Sequence, residues 1–236
     1  MQSMTDYFKI LKIKKMKKSI FVLLLISIVK LSDAQMPDKF VKAMEGKIAV
    51  LDTAQSVTAL TELANAFDRI ASAEKNQWLA YYYAAYCNAS AGLRAGSDGD
   101  MMAAKADKTD PYADKADQQI KKAEELMKNN SEIFIVKKMI ATLRMIGDPM
   151  NRYMTYGPEA ASMLEEAKKI NPDNPRVYLL EGQDKYYTPE QFGGSKEEAK
   201  ELFEKSNKLF ESFKAESSIH PSWGKSQIDY FLSLYK

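Results

Sequence analysis

The sequence predicts an all-α fold, and three observations carry that reading. From residue 57 onward, apolar residues recur three and four apart over most of the chain, the spacing of one face of a helix. Pairs that open helices punctuate those stretches, among them Asn174-Pro175 and Ser195 followed three later by Glu198. No stretch shows sustained period-two alternation rich in β-branched residues, as a half-buried strand would.

The chain starts with a leader. Lys17 and Lys18 make a positive start, extended upstream by Lys12, Lys14 and Lys15. Residues 19–29, SIFVLLLISIV, carry no charge, and Ser32-Asp33-Ala34 places small residues three and one before a cut. That is the pattern of an export signal. Cleavage is predicted after Ala34, leaving Gln35 first; residues 1–15 read as an upstream extension, with Met16 giving a leader of ordinary length. A spanning helix needs ~20 apolar residues, and Lys30 ends this run too early. No membrane span is expected once the leader is removed. The domains are therefore a leader over 1–34 and one helical domain over 35–236, in the periplasm or secreted.

The leader also accounts for the charge. It holds seven of the 34 basic and two of the 32 acidic residues, so the remainder is net −3. Nothing basic enough for a nucleic-acid partner remains. Cys87 is the single cysteine, so no internal disulfide can form. It lies in WLAYYYAAYCNA and reads as a small buried hydrophobe.

The elements follow in order. VTALTELANAFDRIA aligns Leu60, Leu63, Ala64, Phe67, Ile70 and Ala71 on one face. A helix from Trp78 is followed by a loop over residues 92–110, with three glycines and four aspartates. Asp110-Pro111 is predicted to open the next helix, Asp110 as its cap. SEIFIVKKMIATLRMI, capped by Ser131, is apolar on more than one side and so lies between neighbours. GDPMNRYMTYGP reads as a turn, with Gly157-Pro158 opening the helix after it; Asn174-Pro175 opens another. The last helix is predicted from about Ser222, with Ile228, Phe231, Leu232 and Tyr235 in step.

Candidate chemistry is thin. Gly193-Gly194-Ser195 looks like a phosphate cradle, but such a loop follows a strand and sets Lys before Ser. Here Lys196 follows Ser195. The stretch reads as a turn, with Ser195 and Glu198 as a capping box and Phe192 packed back as a staple. His220 is the sole histidine, 133 positions from Cys87, so neither a nucleophile–base pair nor a metal cluster can be built on it. Asp98, Asp100, Asp107 and Asp110 lack the spacing of a calcium-binding EF-hand. No catalytic residue, metal site or cofactor is expected, and the chain is not read as an enzyme.

Three helices share a small–large–small set with steps of four and three: Ala116, Ile120, Ala123; Ala160, Leu164, Ala167; and Ala199, Phe203, Ser206. Pro172 follows the second set by five, and Tyr178 and Gly182 stand four apart after it. The pattern resembles the tetratricopeptide repeat family. The likeness spans residues 38–213 and is strongest over 157–206. The intervals between sets, 44 and 39 residues, exceed the ~34 of the family. They look like the irregular repeats of bacterial extracytoplasmic proteins, including the TRAP-transporter-associated group. The resemblance implies a right-handed superhelix of antiparallel helix pairs, an α-solenoid, with a C-terminal capping helix. It implies that first helices line an inner groove. Projecting the register inward gives Tyr83, Tyr86, Met139, Thr142, Arg176, Gln183, Tyr186 and Tyr187 as groove residues, Tyr83 and Tyr86 doubling as core. Aromatic, Arg and Gln side chains suit a peptide or small organic ligand. The expected function is an exported scaffold for a protein or peptide partner in the cell envelope. The other reading is a small-ligand-binding module, associated with a transporter.

Overall fold

The computed structural model describes residues 36–97 and 105–236. The predicted leader, the cut after Ala34 and the middle of the aspartate-rich stretch, residues 98–104, fall outside those residues. The chain divides into two units, Met1–Asp38 and Lys39–Lys236, and the account below is of the second.

Every regular element among the described residues is helical. They are α1 (Asp38–Ile48), α2 (Val57–Ala73), α3 (Trp78–Ser97), α4 (Ala106–Leu126), α5 (Ser131–Gly147), α6 (Pro149–Ile170), α7 (Pro175–Tyr187), α8 (Lys196–Ser212) and α9 (Lys225–Ser233), with a short 3₁₀ turn at Glu190–Phe192. Sequential neighbours pack: α2 on α3, α3 on α4, α5 on α6, α7 on α8, with α3 also meeting α5. All nine residues of the small–large–small sets are buried, in α4, α6 and α8. Their partners are close. A Cβ on Gly182 of α7 would stand 2.6 Å from the ring of Phe203 in α8, so only glycine lets these two axes approach so nearly.

Several caps sit where the residues place them. The Asn174 side chain accepts from Arg176 N with Pro175 in the first turn, and Ser195 Oγ accepts from Glu198 N at 3.1 Å. Gly193 takes φ +90°, and a Cβ on Gly194 would meet Thr188 O at 1.7 Å. The turn reading of this stretch holds. The capping box is only half formed, because Glu198 turns to Lys185 at 2.5 Å. Phe192 is 68% exposed and staples nothing.

Four boundaries differ from expectation. α3 runs on to Ser97 and α4 starts at Ala106, so both helices reach into the stretch expected as a 92–110 loop, α3 despite Gly92 and Gly96. Asp110 does not cap α4. It holds Arg152 with both carboxylate oxygens, at 2.7 and 2.8 Å, and so ties the start of α4 to the start of α6. α6 begins at Pro149, capped by Asp148, and runs straight through Pro158. The Asp-Pro pair opens the helix nine residues before Gly157-Pro158, and exposed Pro158 sits on its solvent side. Asn130, not Ser131, caps α5; the Ser131 hydroxyl donates to Ala167 O at 2.9 Å across to α6. The last helix starts at Lys225 rather than near Ser222, behind an irregular segment over 213–224.

Candidate functional site

The eight groove candidates do not share one opening. Tyr83, Tyr86 and Arg176 are buried; the segment 213–224 lies against Tyr86 and Arg176, and Tyr83 stacks on Phe67 of α2. Arg176, in the first turn of α7, is fully enclosed. Its Nη1 meets Glu132 Oε1 of α5 at 3.1 Å, and its Nη2 donates to Pro221 O at 2.5 Å. The guanidinium faces the rings of Phe213 and Trp223 at 4.8 and 5.2 Å, an attraction strengthened by the loss of water. Asn174 Nδ2 donates to Glu132 Oε1 at 2.8 Å, and Tyr82 OH to Glu132 Oε2 at 3.0 Å. Trp223 Nε1 then donates to Tyr82 OH at 2.8 Å, and its ring lies 4.4 Å from that of Tyr86. This network joins α3, α5, α7 and the C-terminal segment. Burial pushes the Tyr82 and Tyr83 hydroxyls well above the usual phenol range, so they stay neutral; Tyr82 serves as a hydrogen-bonding group and Tyr83, whose hydroxyl has no partner, as a packing group. Burial does the same to the Cys87 thiol, which keeps it from forming the nucleophilic thiolate.

Gln183, Tyr186 and Tyr187 lie elsewhere, at the end of α7 against α9. Gln183 Nε2 donates to Gln227 Oε1 at 3.3 Å. The Tyr186 ring meets Phe231 edge-on at 5.4 Å and carries Lys196 Nζ 3.0 Å above its centre. A depression of about 250 Å³ opens here. Its two lysines are engaged, Lys185 with Glu198 and Lys196 with Tyr186 O. Met139 is buried and Thr142 half-buried in α5.

His220 is held within its own segment. Its ring bonds Ser217 Oγ at 2.8 Å and Glu216 at 3.2 Å, and it meets Trp78 edge-on. Burial lowers its pKa below the ordinary imidazole value, partly countered by Glu216 and Glu132. Among the described residues, no group of three or more His, Cys, Asp or Glu could hold a metal ion, and no helix is long and apolar enough to cross a membrane.

A larger depression, of about 530 Å³, was not foreseen from the sequence. It lies between the end of α1, the turns after it and α2. Buried Leu51 and Ala54 pin those turns, which are closed by Leu51 N to Ile48 O at 3.0 Å and Ala54 N to Leu51 O at 3.1 Å. Val50, Ala54, Ala59, Leu63 and Ala66 give it apolar walls, and Lys47, Arg69 and Glu62 bring charge. Its only sequence signal is an apolar residue, Val50, that is left 46% exposed by a turn outside the repeat pattern.

No protein-family model and no curated protein matches the chain. Among solved structures, the HusA haemophore from Porphyromonas gingivalis is similar, at 34% identity and a TM-score of 0.71, over 84% of this chain and 92% of that one. Identity at that level over nearly the whole of a known protein is more than a shared architecture, and the chain belongs to the family of the HusA haemophore.

Proposed function

We propose that the protein is an exported binding module that captures a small, flat ligand of the haem class. The observation that carries this is the likeness to a haemophore over 92% of its length. The charge pattern agrees: a depression with apolar walls and two cations suits an apolar ring system bearing carboxylates. Export rests on the leader residues, Lys17 and Lys18, the uncharged run 19–29 and Ser32-Asp33-Ala34. The stacking of helix pairs as an irregular tetratricopeptide-type superhelix, capped by α9, belongs to the same reading, and the buried small–large–small sets support it. A scaffold for protein partners has less support, since Tyr83, Tyr86 and Arg176 are buried, the last two against the chain's own C-terminal segment. The binding reading needs no catalytic step, and the engaged His220 and buried Cys87 offer none.

Titrating the purified protein with haemin, followed by the haem absorbance band and by tryptophan fluorescence, tests this. The expected result is saturable one-to-one binding tighter than about 10 μM, worth roughly 7 kcal/mol. Binding no tighter than to an unrelated helical protein of similar charge would refute it.

A further inference from the structure

We propose that this ligand sits in the depression between α1 and α2, with Lys47 and Arg69 receiving its carboxylates; the assignment rests on the haem-class reading above. Four observations converge. The volume, about 530 Å³, lies within the range of small-molecule pockets, ~300–1,000 Å³, and is about twice that of the depression beside Tyr186 and Tyr187. Three of the lining residues are alanines, Ala54, Ala59 and Ala66. Each projects only a methyl group, so no long side chain from these positions obstructs the depression. Val50 stands 46% exposed at its edge, an apolar surface that a flat ligand would cover.

The fourth observation is charge. Several cations on the helix faces are held by acids, Lys138 by Asp184, Arg144 by Asp114 and Asp117, Arg152 by Asp110. Lys47 and Arg69 are exposed, and neither makes an ion pair among the described residues. Two unpaired cations beside an apolar surface complement a dianion with an apolar body. Glu62 lines the same depression and opposes a carboxylate-bearing ligand. None of the lining residues is a His, Cys, Met or Tyr, so orientation falls to the carboxylates at the ligand's edge.

The test compares haemin with its dimethyl ester, which keeps the ring and loses both charges. Four proteins are used: the unaltered chain, Lys47→Glu/Arg69→Glu, Ala59→Phe and Glu62→Gln. All four sites are at least partly exposed, and circular dichroism checks that each variant is folded. The double reversal is expected to weaken haemin binding at least tenfold and to leave binding of the ester unchanged. Ala59→Phe, which fills the depression, should weaken both ligands, and Glu62→Gln should tighten haemin two- to threefold. Haemin binding to the double reversal as tight as to the unaltered chain would place the seat elsewhere while leaving the haem-class reading intact. Absence of haemin binding to the unaltered chain would overturn both.

Discussion

The inner face beneath the C-terminal segment and the depression between α1 and α2 are opposites. The first gathers the residues that look chemical: Arg176, Glu132, Tyr82, Tyr83, Tyr86 and Trp223. Most of their polar atoms are spent on one another in a charge-assisted, largely buried network, although Tyr83 OH and Arg176 Nε are enclosed without a hydrogen-bond partner. The second is built from residues that look ordinary, alanines and a valine, with two cations that bond to nothing described. The comparison teaches that residues of chemical character mark a ligand site only where the fold leaves them within a ligand's reach. A fully enclosed arginine with an acid, a carbonyl and aromatic faces around it is out of a ligand's reach; an exposed apolar surface beside unpaired charge is not.

The sharpest way to break that contrast is to cut the inner network. Arg176→Met leaves the largely buried Glu132 carboxylate without its cation. We expect a loss of about 3–5 kcal/mol, measured by urea unfolding, with haemin affinity of the folded protein unchanged. A stable Arg176→Met protein that no longer binds haemin would reverse the roles of the two regions. Gly182→Ala should have a smaller effect. The new methyl group would meet the Phe203 ring at 2.6 Å; overpacking costs about 1–3 kcal/mol, against a gain of up to about 1 kcal/mol in helix propensity. A net loss of roughly 1 kcal/mol is expected in the same assay, restored by adding Phe203→Leu. Lys47→Glu/Arg69→Glu should change stability by no more than about 0.5 kcal/mol, as surface changes do, while affecting haemin most.

Acidification gives the smallest effect. The folded pKa of His220 lies below its ordinary value of 6.5, so the folded state disfavours the proton. The stability due to the neutral ring is present above about pH 6.5 and is lost as pH falls through the lowered folded value. Thermal unfolding between pH 7 and 5 should show a decline that His220→Gln reduces.

Much of the fold was legible in the sequence because its signals are local. Asn174-Pro175 and Ser195 cap the helices they precede, and the small–large–small sets are buried. Where the reading failed, a distant partner or a competing local signal prevailed. Asp110 has the form of a cap, but Arg152, 42 residues on, binds its carboxylate. Gly157-Pro158 has the form of a helix start, but Asp148-Pro149 had already supplied one. The C-terminal segment has no periodicity to read, and its anchor joins Trp223 to Tyr82 across 141 positions. That is why the projected groove residues were sought on an open face. The depression escaped notice for a related reason: it is formed across a turn between α1 and α2, where no repeat register exists to project.

Hydrogen exchange of the unaltered protein with and without haemin addresses the central claim most directly. The account predicts slowed amide exchange over residues 47–69 on binding, and no change over 213–224. Protection confined to 213–224 and the start of α7, with none between α1 and α2, would contradict it.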